Sequence, residues 1–282
     1  LFLSDCLALQ IKNSAQRTKY FFISENWDNL SSKAVFNLHP DKLGVWGRHG
    51  IELGFQIHGI EKSKIHSVGS PRVDYLADSI RGSQEEVSEK FKIVYLGGSW
   101  EYSRDWKTFL HSRNILWEQN KEYRINYLPH PKNYKMYLER QPQRENRSSD
   151  QKAIDEAIEF AAQRRLLLPL SFYCNLFLNC KLTLSPLSTM NLESILFNIP
   201  TIALDFQELT LPTLPWATQY FEHFSKLESY SGVRIVRDLS TLEAAVESLV
   251  TTKKEIDRDK ILDYDLQPDF QKRISILFGH HA

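Results

Sequence analysis

The sequence predicts an α/β fold of doubly wound parallel sheets in two units, the first of them incomplete, and three observations predict it. Apolar runs of strand length recur along the 282 residues, each followed by a turn signal and then a helical pattern. The runs are continuous rather than alternating, as in strands buried on both faces, and helices of crossover length separate them. A polar stretch at residues 76–90 divides the series into two groups.

Taken in order, the strands are residues 20–23, 43–46 and 64–68 in the first group, then 91–96, 124–128, 182–184, 200–204 and 233–236 in the second. Right-handed crossovers then give an open parallel sheet. The first group is too short for a whole domain and reads as the C-terminal part of one. We divide the chain into 1–82 (the acceptor-side unit), 83–262 (a nucleotide-binding unit) and 263–282 (a helix packing back on the first unit). A polar tract at 132–152, with Arg140-Gln141-Pro142-Gln143-Arg144, reads as a surface excursion or a lid. The chain opens in helical sequence at Leu1, without a basic leader, and Asp5 interrupts its apolar start, so we expect a piece of a longer protein.

Composition narrows the function classes. Thirty-five Lys and Arg balance thirty-five Asp and Glu, which gives no global field for gripping nucleic acid. Cys6, Cys174 and Cys180 form no metal-ligand spacing, so we expect buried thiols in a reducing compartment. No apolar run reaches the ~18–20 residues of a membrane helix.

The strongest local signal is Ser185-Pro186-Leu187-Ser188-Thr189-Met190-Asn191-Leu192-Glu193, where a strand ends and a helix begins. Unpaired N–H groups and the dipole at a helix start attract phosphate, and the Ser188 and Thr189 hydroxyls add donors. Glu193, one turn on, can take both hydroxyls of a ribose. The same segment also reads as an ordinary capped helix with a solvated Glu. Gly97-Gly98-Ser99 follows another strand and would let the backbone approach an anion. His130, between Pro129 and Pro131 after a third strand, could donate to a phosphate or a base carbonyl. In the first unit, Glu25-Asn26-Trp27-Asp28-Asn29 follows a strand, with Trp27 as a stacking ring and Asn26 and Asn29 as amides for an acceptor sugar; the alternative is a capped loop.

Three blocks carry a resemblance. They are Asn26-Trp27-Asp28-Asn29-Leu30-Ser31-Ser32-Lys33 with Pro40-Asp41 and Val45-Trp46-Gly47; His58-Gly59-Ile60 with Val68-Gly69-Ser70-Pro71-Arg72-Val73-Asp74; and the segment from Ser185 to Glu193 with Asn198-Ile199-Pro200-Thr201-Ile202. Together they resemble bacterial surface-polysaccharide glycosyltransferases of the GT-B fold, related to CDP-glycerol glycerophosphotransferase-like proteins and more remotely to UDP-N-acetylglucosamine 2-epimerases. Tyr220-Phe221-Glu222-His223, Gly232-Val233-Arg234-Ile235 and the late helix at 270–278 keep the same order, so the likeness runs over nearly the whole chain.

The resemblance implies two Rossmann-like domains and a nucleotide-sugar donor (UDP-, CMP-, CDP- or GDP-linked), with no tightly bound cofactor and no metal. Phosphate falls on Ser188 and Thr189 and ribose on Glu193; His130 contacts the nucleotide, and Gly97, Gly98 and Ser99 line the cleft with Glu222 and His223. The catalytic base falls among Glu25, Asp28 and His49, with His39 a further candidate. A glycan or lipid-linked glycan is the implied acceptor, in the cytoplasm with peripheral association at the inner membrane face. Polyol-phosphate transfer from a CDP-activated donor and a non-catalytic nucleotide-binding remnant stay open beside glycosyl transfer. Epimerisation would need a complete first domain.

Overall fold

The computed structural model describes residues 19–25, 27, 29–32, 36, 38–81, 92–98, 101–140, 147–206, 222–251, 256 and 258–278. They fall into two compact units. One gathers the described residues up to Arg81 with 222–223 and 258–278, and the other those of 92–206 and 224–256.

The first unit carries β1 (Phe21–Ile23), α1 (Asn29–Ser32), β2 (Lys42–Val45), α2 (Arg48–Gln56), β3 (Ile65–Ser67) and α3 (Pro71–Arg81). Its strands form a parallel sheet in the order β1-β2-β3, with Phe22 opposite Leu43 and Leu43 opposite Ile65. Those three side chains join Leu30, Val45, Leu53 and Ile60 in one buried cluster. Removal of this apolar area from water stabilises the small sheet.

The second unit runs β4 (Lys92–Leu96), α4 (Tyr102–Gln119), β5 (Arg124–Leu128), α5 (Tyr134–Arg140), α6 (Ser149–Arg164), α7 (Leu170–Leu178), β6 (Leu182–Pro186), α8 (Thr189–Leu196) and β7 (Thr201–Leu204). Next is α9 (Glu222–Ser225), whose first two residues group with the first unit, and then β8 (Val233–Val236) and α10 (Leu242–Thr251). Its sheet is parallel throughout, in the order β5-β4-β6-β7-β8. Every residue of β6 and β7 is buried, so both faces of these strands are covered, and even Thr183, Ser185 and Thr201 are withdrawn from solvent.

The tract at 132–152 is not an excursion over its described residues. Tyr134 and Tyr137, three apart, are buried on one face of α5. Ser148 caps α6 by accepting from Gln151 N at 3.1 Å. The polar composition around it obscured a short helix, seven residues long, with two buried tyrosines.

The chain ends in α11 (Arg258–Tyr264) and α12 (Phe270–Phe278), both in the first unit. Asp74 accepts the N–H groups of Asp269 (2.7 Å) and Phe270 (2.8 Å), so a side chain from α3 caps the start of α12. Gly69 has φ +77, and a Cβ there would sit 2.3 Å from the Gln267 carbonyl oxygen, so only glycine admits this approach. The Phe278 ring meets Phe21 edge-on at 5.6 Å.

Candidate functional site

The turn after β4 is held from below. Asp105, fully buried on α4, accepts from Gly98 N at 3.2 Å, Tyr95 Oη at 3.1 Å and Tyr127 Oη at 2.7 Å. Burial holds the Asp105 carboxyl above its usual range, while the bonds from Tyr127, Gly98 and Tyr95 pull the other way. A Cβ at Gly97 would lie 2.6 Å from Asp105 Oδ2 and 2.9 Å from His130 N. Glycine is therefore required where the β4 turn touches the β5 turn. Asn133 Nδ2 reaches the Gly98 carbonyl at 3.5 Å and ties the two turns again.

His130 is half-buried at the carboxyl end of β5. Its Nδ1 accepts from Lys132 N at 3.2 Å, capping the short 3-10 turn Pro131–Asn133. With Nδ1 an acceptor, the neutral ring carries its proton on Nε2, the donor form that an anion requires.

After β6, Ser188 N donates to Asn191 Oδ1 at 3.0 Å, and Ser188 Oγ lies 3.0 Å from Ser185 Oγ. Asn191 Nδ2 donates to Thr201 Oγ1 at 3.1 Å, which pins the start of α8 to β7. Ser188 and Thr189 stay partly exposed at that start. Glu193 is 2 % exposed, so it is no solvated helix residue. Asn191, Glu193 and Ser194 give α8 a buried polar edge, and a carboxylate so placed needs polar partners.

The sheet order brings these turns together. From β4 the chain steps outward to β5, then returns past β4 to β6, so the topological switch point lies between β4 and β6. Leu96 pairs with Leu128, so β4 and β5 end level, and Tyr95 pairs with Leu184, so β6 runs one residue further, with neighbouring strands about 4.8 Å apart. Gly97-Gly98 and Ser188-Thr189 follow β4 and β6 on either side of that switch point, and His130 follows β5.

The first-unit candidates scatter. Glu25 and His39 are exposed. His49 is buried and its Nδ1 lies 3.0 Å from Asp265 Oδ1, with the Tyr264 ring stacked on the imidazole at 5.3 Å. Ser24, Trp27, Trp46, His49 and Asp265 border a cavity of about 10 Å³, room for one water. Trp27 is buried with its ring edge-on to His223 at 4.9 Å, so it presents no open face for a stacked sugar. His223 is buried and pairs its Nδ1 with Ser31 Oγ, and Glu222 is exposed. Asn29 lies in α1. Asn26, Asp28 and Ser99 lie outside the described residues, as does Cys6. Cys174 and Cys180 are buried free thiols, and burial pushes Cys180 up to about 12.

Sequence reading missed Asp105, Asn191 and Asp265. Only Asp105 left a trace, a carboxylate in the first turn of a helix right after a Gly-Gly turn. Among the described residues no group of three or more His, Cys, Asp or Glu could hold a metal ion, and no helix is long and apolar enough to cross a membrane.

The fold is shared with solved structures. The UDP-GlcNAc 2-epimerase of Methanocaldococcus jannaschii, in complex with UDP-GlcNAc and UDP, matches at 16% identity and a TM-score of 0.55, over 86% of this chain and 62% of that one. The fold is of the GT-B type. S. aureus MnaA with UDP matches at 10% identity and a TM-score of 0.50, over 84% of this chain and 58% of that one. The wall teichoic acid polymerase TagF matches more loosely, at 16% identity and a TM-score of 0.46, over 84% of this chain and 55% of that one. The chain thus spans less than two thirds of the length of each of these structures. No protein-family model matches the sequence, and no curated protein matches it.

Proposed function

We propose that this chain carries the donor-binding part of a glycosyltransferase that moves a sugar from a nucleotide-activated donor to a surface or capsular polysaccharide. The observation that carries the reading is the pair of turns, Gly97-Gly98 and Ser188-Thr189, on either side of the β4/β6 switch point. Open α/β sheets bind ligands there. In this reading the start of α8 and the Ser188 and Thr189 hydroxyls take the phosphates, the His130 Nε2–H donates to the nucleotide, and Glu193 takes the ribose hydroxyls. These dipoles stabilise the charge that develops on the departing phosphate, without reorganising during the reaction. Deprotonation of the acceptor hydroxyl falls to Glu25, Asp28 or His49.

Calorimetric titration with UDP, CMP, CDP and GDP tests the reading. One nucleotide binds saturably, and Glu193→Ala weakens it at least about tenfold, the loss of a charge-assisted pair of hydrogen bonds. Failure of all four to bind, or unchanged affinity in Glu193→Ala, overturns it.

A further inference from the structure

We propose that the tip at the C-terminal end of α6 docks on an anionic lipid surface. Arg165 ends the helix in the left-handed region, at φ 54. Leu166 and Leu167 follow at 56% and 72% exposure, and Leu167 is the most exposed large hydrophobic among the described residues. Phe160, on the last turns of the same helix, is 56% exposed, with the Arg164 guanidinium 3.7 Å over its ring. Ala161 and Leu168 are buried and hold the tip to the body of the unit, so the exposed side chains stand on a fixed base.

Charge identifies the occupant. Asp and Glu make up 35 of the 282 residues, about one in eight, yet none occurs from Phe160 to Leu192. The charges in that run are Arg164, Arg165 and Lys181, all exposed. Neither Arg164 nor Arg165 forms an ion pair among the described residues. Apolar side chains projecting beside uncompensated guanidinium groups suit the boundary of a bilayer, where leucines enter the acyl region and arginines meet lipid phosphates. A second copy of the chain fits less well, because a two-fold contact would set Arg164 and Arg165 against their own like charges.

Flotation of the 282-residue chain with vesicles tests the proposal. The chain binds vesicles of mixed phosphatidylglycerol and phosphatidylcholine, does not bind phosphatidylcholine alone, and is released by salt. Arg164→Gln with Arg165→Gln lowers partitioning about 25-fold, roughly fivefold per charge. Leu166→Ser with Leu167→Ser lowers it at least about tenfold. Both double variants melt like the parent, since these side chains lie in solvent. No binding to the anionic vesicles overturns the proposal, as does binding within twofold of the parent in either double variant. Self-association without lipid that the leucine variant abolishes also overturns it, in favour of a second copy.

Discussion

Gly97→Ala places one methyl group where the fold has no room for it. That carbon would sit 2.6 Å from Asp105 Oδ2, 2.9 Å from His130 N and 3.0 Å from Pro129 Cα. Carbon contacts relax near 3.5–4.0 Å, so the β4 and β5 turns must part by roughly 0.5–1 Å. Two of the three neighbours are backbone, and Gly97 N is bonded to the Leu128 carbonyl at 2.7 Å, so movement of the Asp105 side chain alone cannot absorb the shift. Overpacking of this kind costs about 1–3 kcal/mol, read as a lower urea midpoint with an unchanged slope. The displaced backbone carries His130, and a lost hydrogen bond to a charged group costs about 1.5–3 kcal/mol, or roughly 10- to 150-fold in nucleotide affinity by calorimetry. His130→Ala alone gives a similar loss, and the double variant loses little more, because both act on one contact. A Gly97→Ala variant with the parent's urea midpoint and nucleotide affinity refutes the argument.

Two further perturbations bear on the same edge of the sheet. Because the Asp105 carboxyl titrates above its usual value in the fold, its protonated form is favoured there; that contribution is complete below the unfolded value and is lost as pH rises through the folded one. Urea unfolding from about pH 7 down to about pH 4 therefore shows the parent gaining stability relative to Asp105→Asn, and a constant difference between the two contradicts the assignment. Asn191→Ala leaves Ser188 N and Thr201 Oγ1 without their partner, costing about 1–3 kcal/mol in thermal unfolding and weakening nucleotide binding; loss of neither breaks the link between the α8 start and the site.

The sheets were legible because their strands are buried on both faces. Arg124–Leu128 and Val233–Val236 fall where the apolar runs lie, and Leu182–Pro186 extends its run by two buried residues. Ser188 as the residue before a helix was legible too, from its type and its place after a strand. The helix at 134–140 was not, since Tyr134, Tyr137 and Leu138 keep helical spacing over only seven residues, too short a window to stand out from the polar sequence around it. Nor were the burial of Trp27 and the pairing of His49 with Asp265, 216 residues away, because local sequence carries no information about a partner at that separation. Asp105 and Asn191 escaped although they lie only seven and three residues from Gly98 and Ser188, because residue type and spacing do not tell a buried, hydrogen-bonded side chain from a solvated one.

Gly98, His130 and Ser188 stand at the ends of three neighbouring strands, and a strand end alone does not fix the turn that follows it. Buried polar side chains do so: Asp105 from α4 holds Gly98, Asn133 in the β5 turn bridges to Gly98, and Asn191 holds Ser188 while gripping β7. All three are nearly fully buried, where an unmet hydrogen bond is costly, so each has one strongly preferred arrangement. A turn fixed in this way keeps its N–H groups aimed without help from ligand, the condition under which a donor's charge is stabilised with little reorganisation. Substitutions at Asp105, Asn133 and Asn191 should therefore weaken nucleotide binding as surely as those at the residues facing the crevice, while touching nothing that the nucleotide touches.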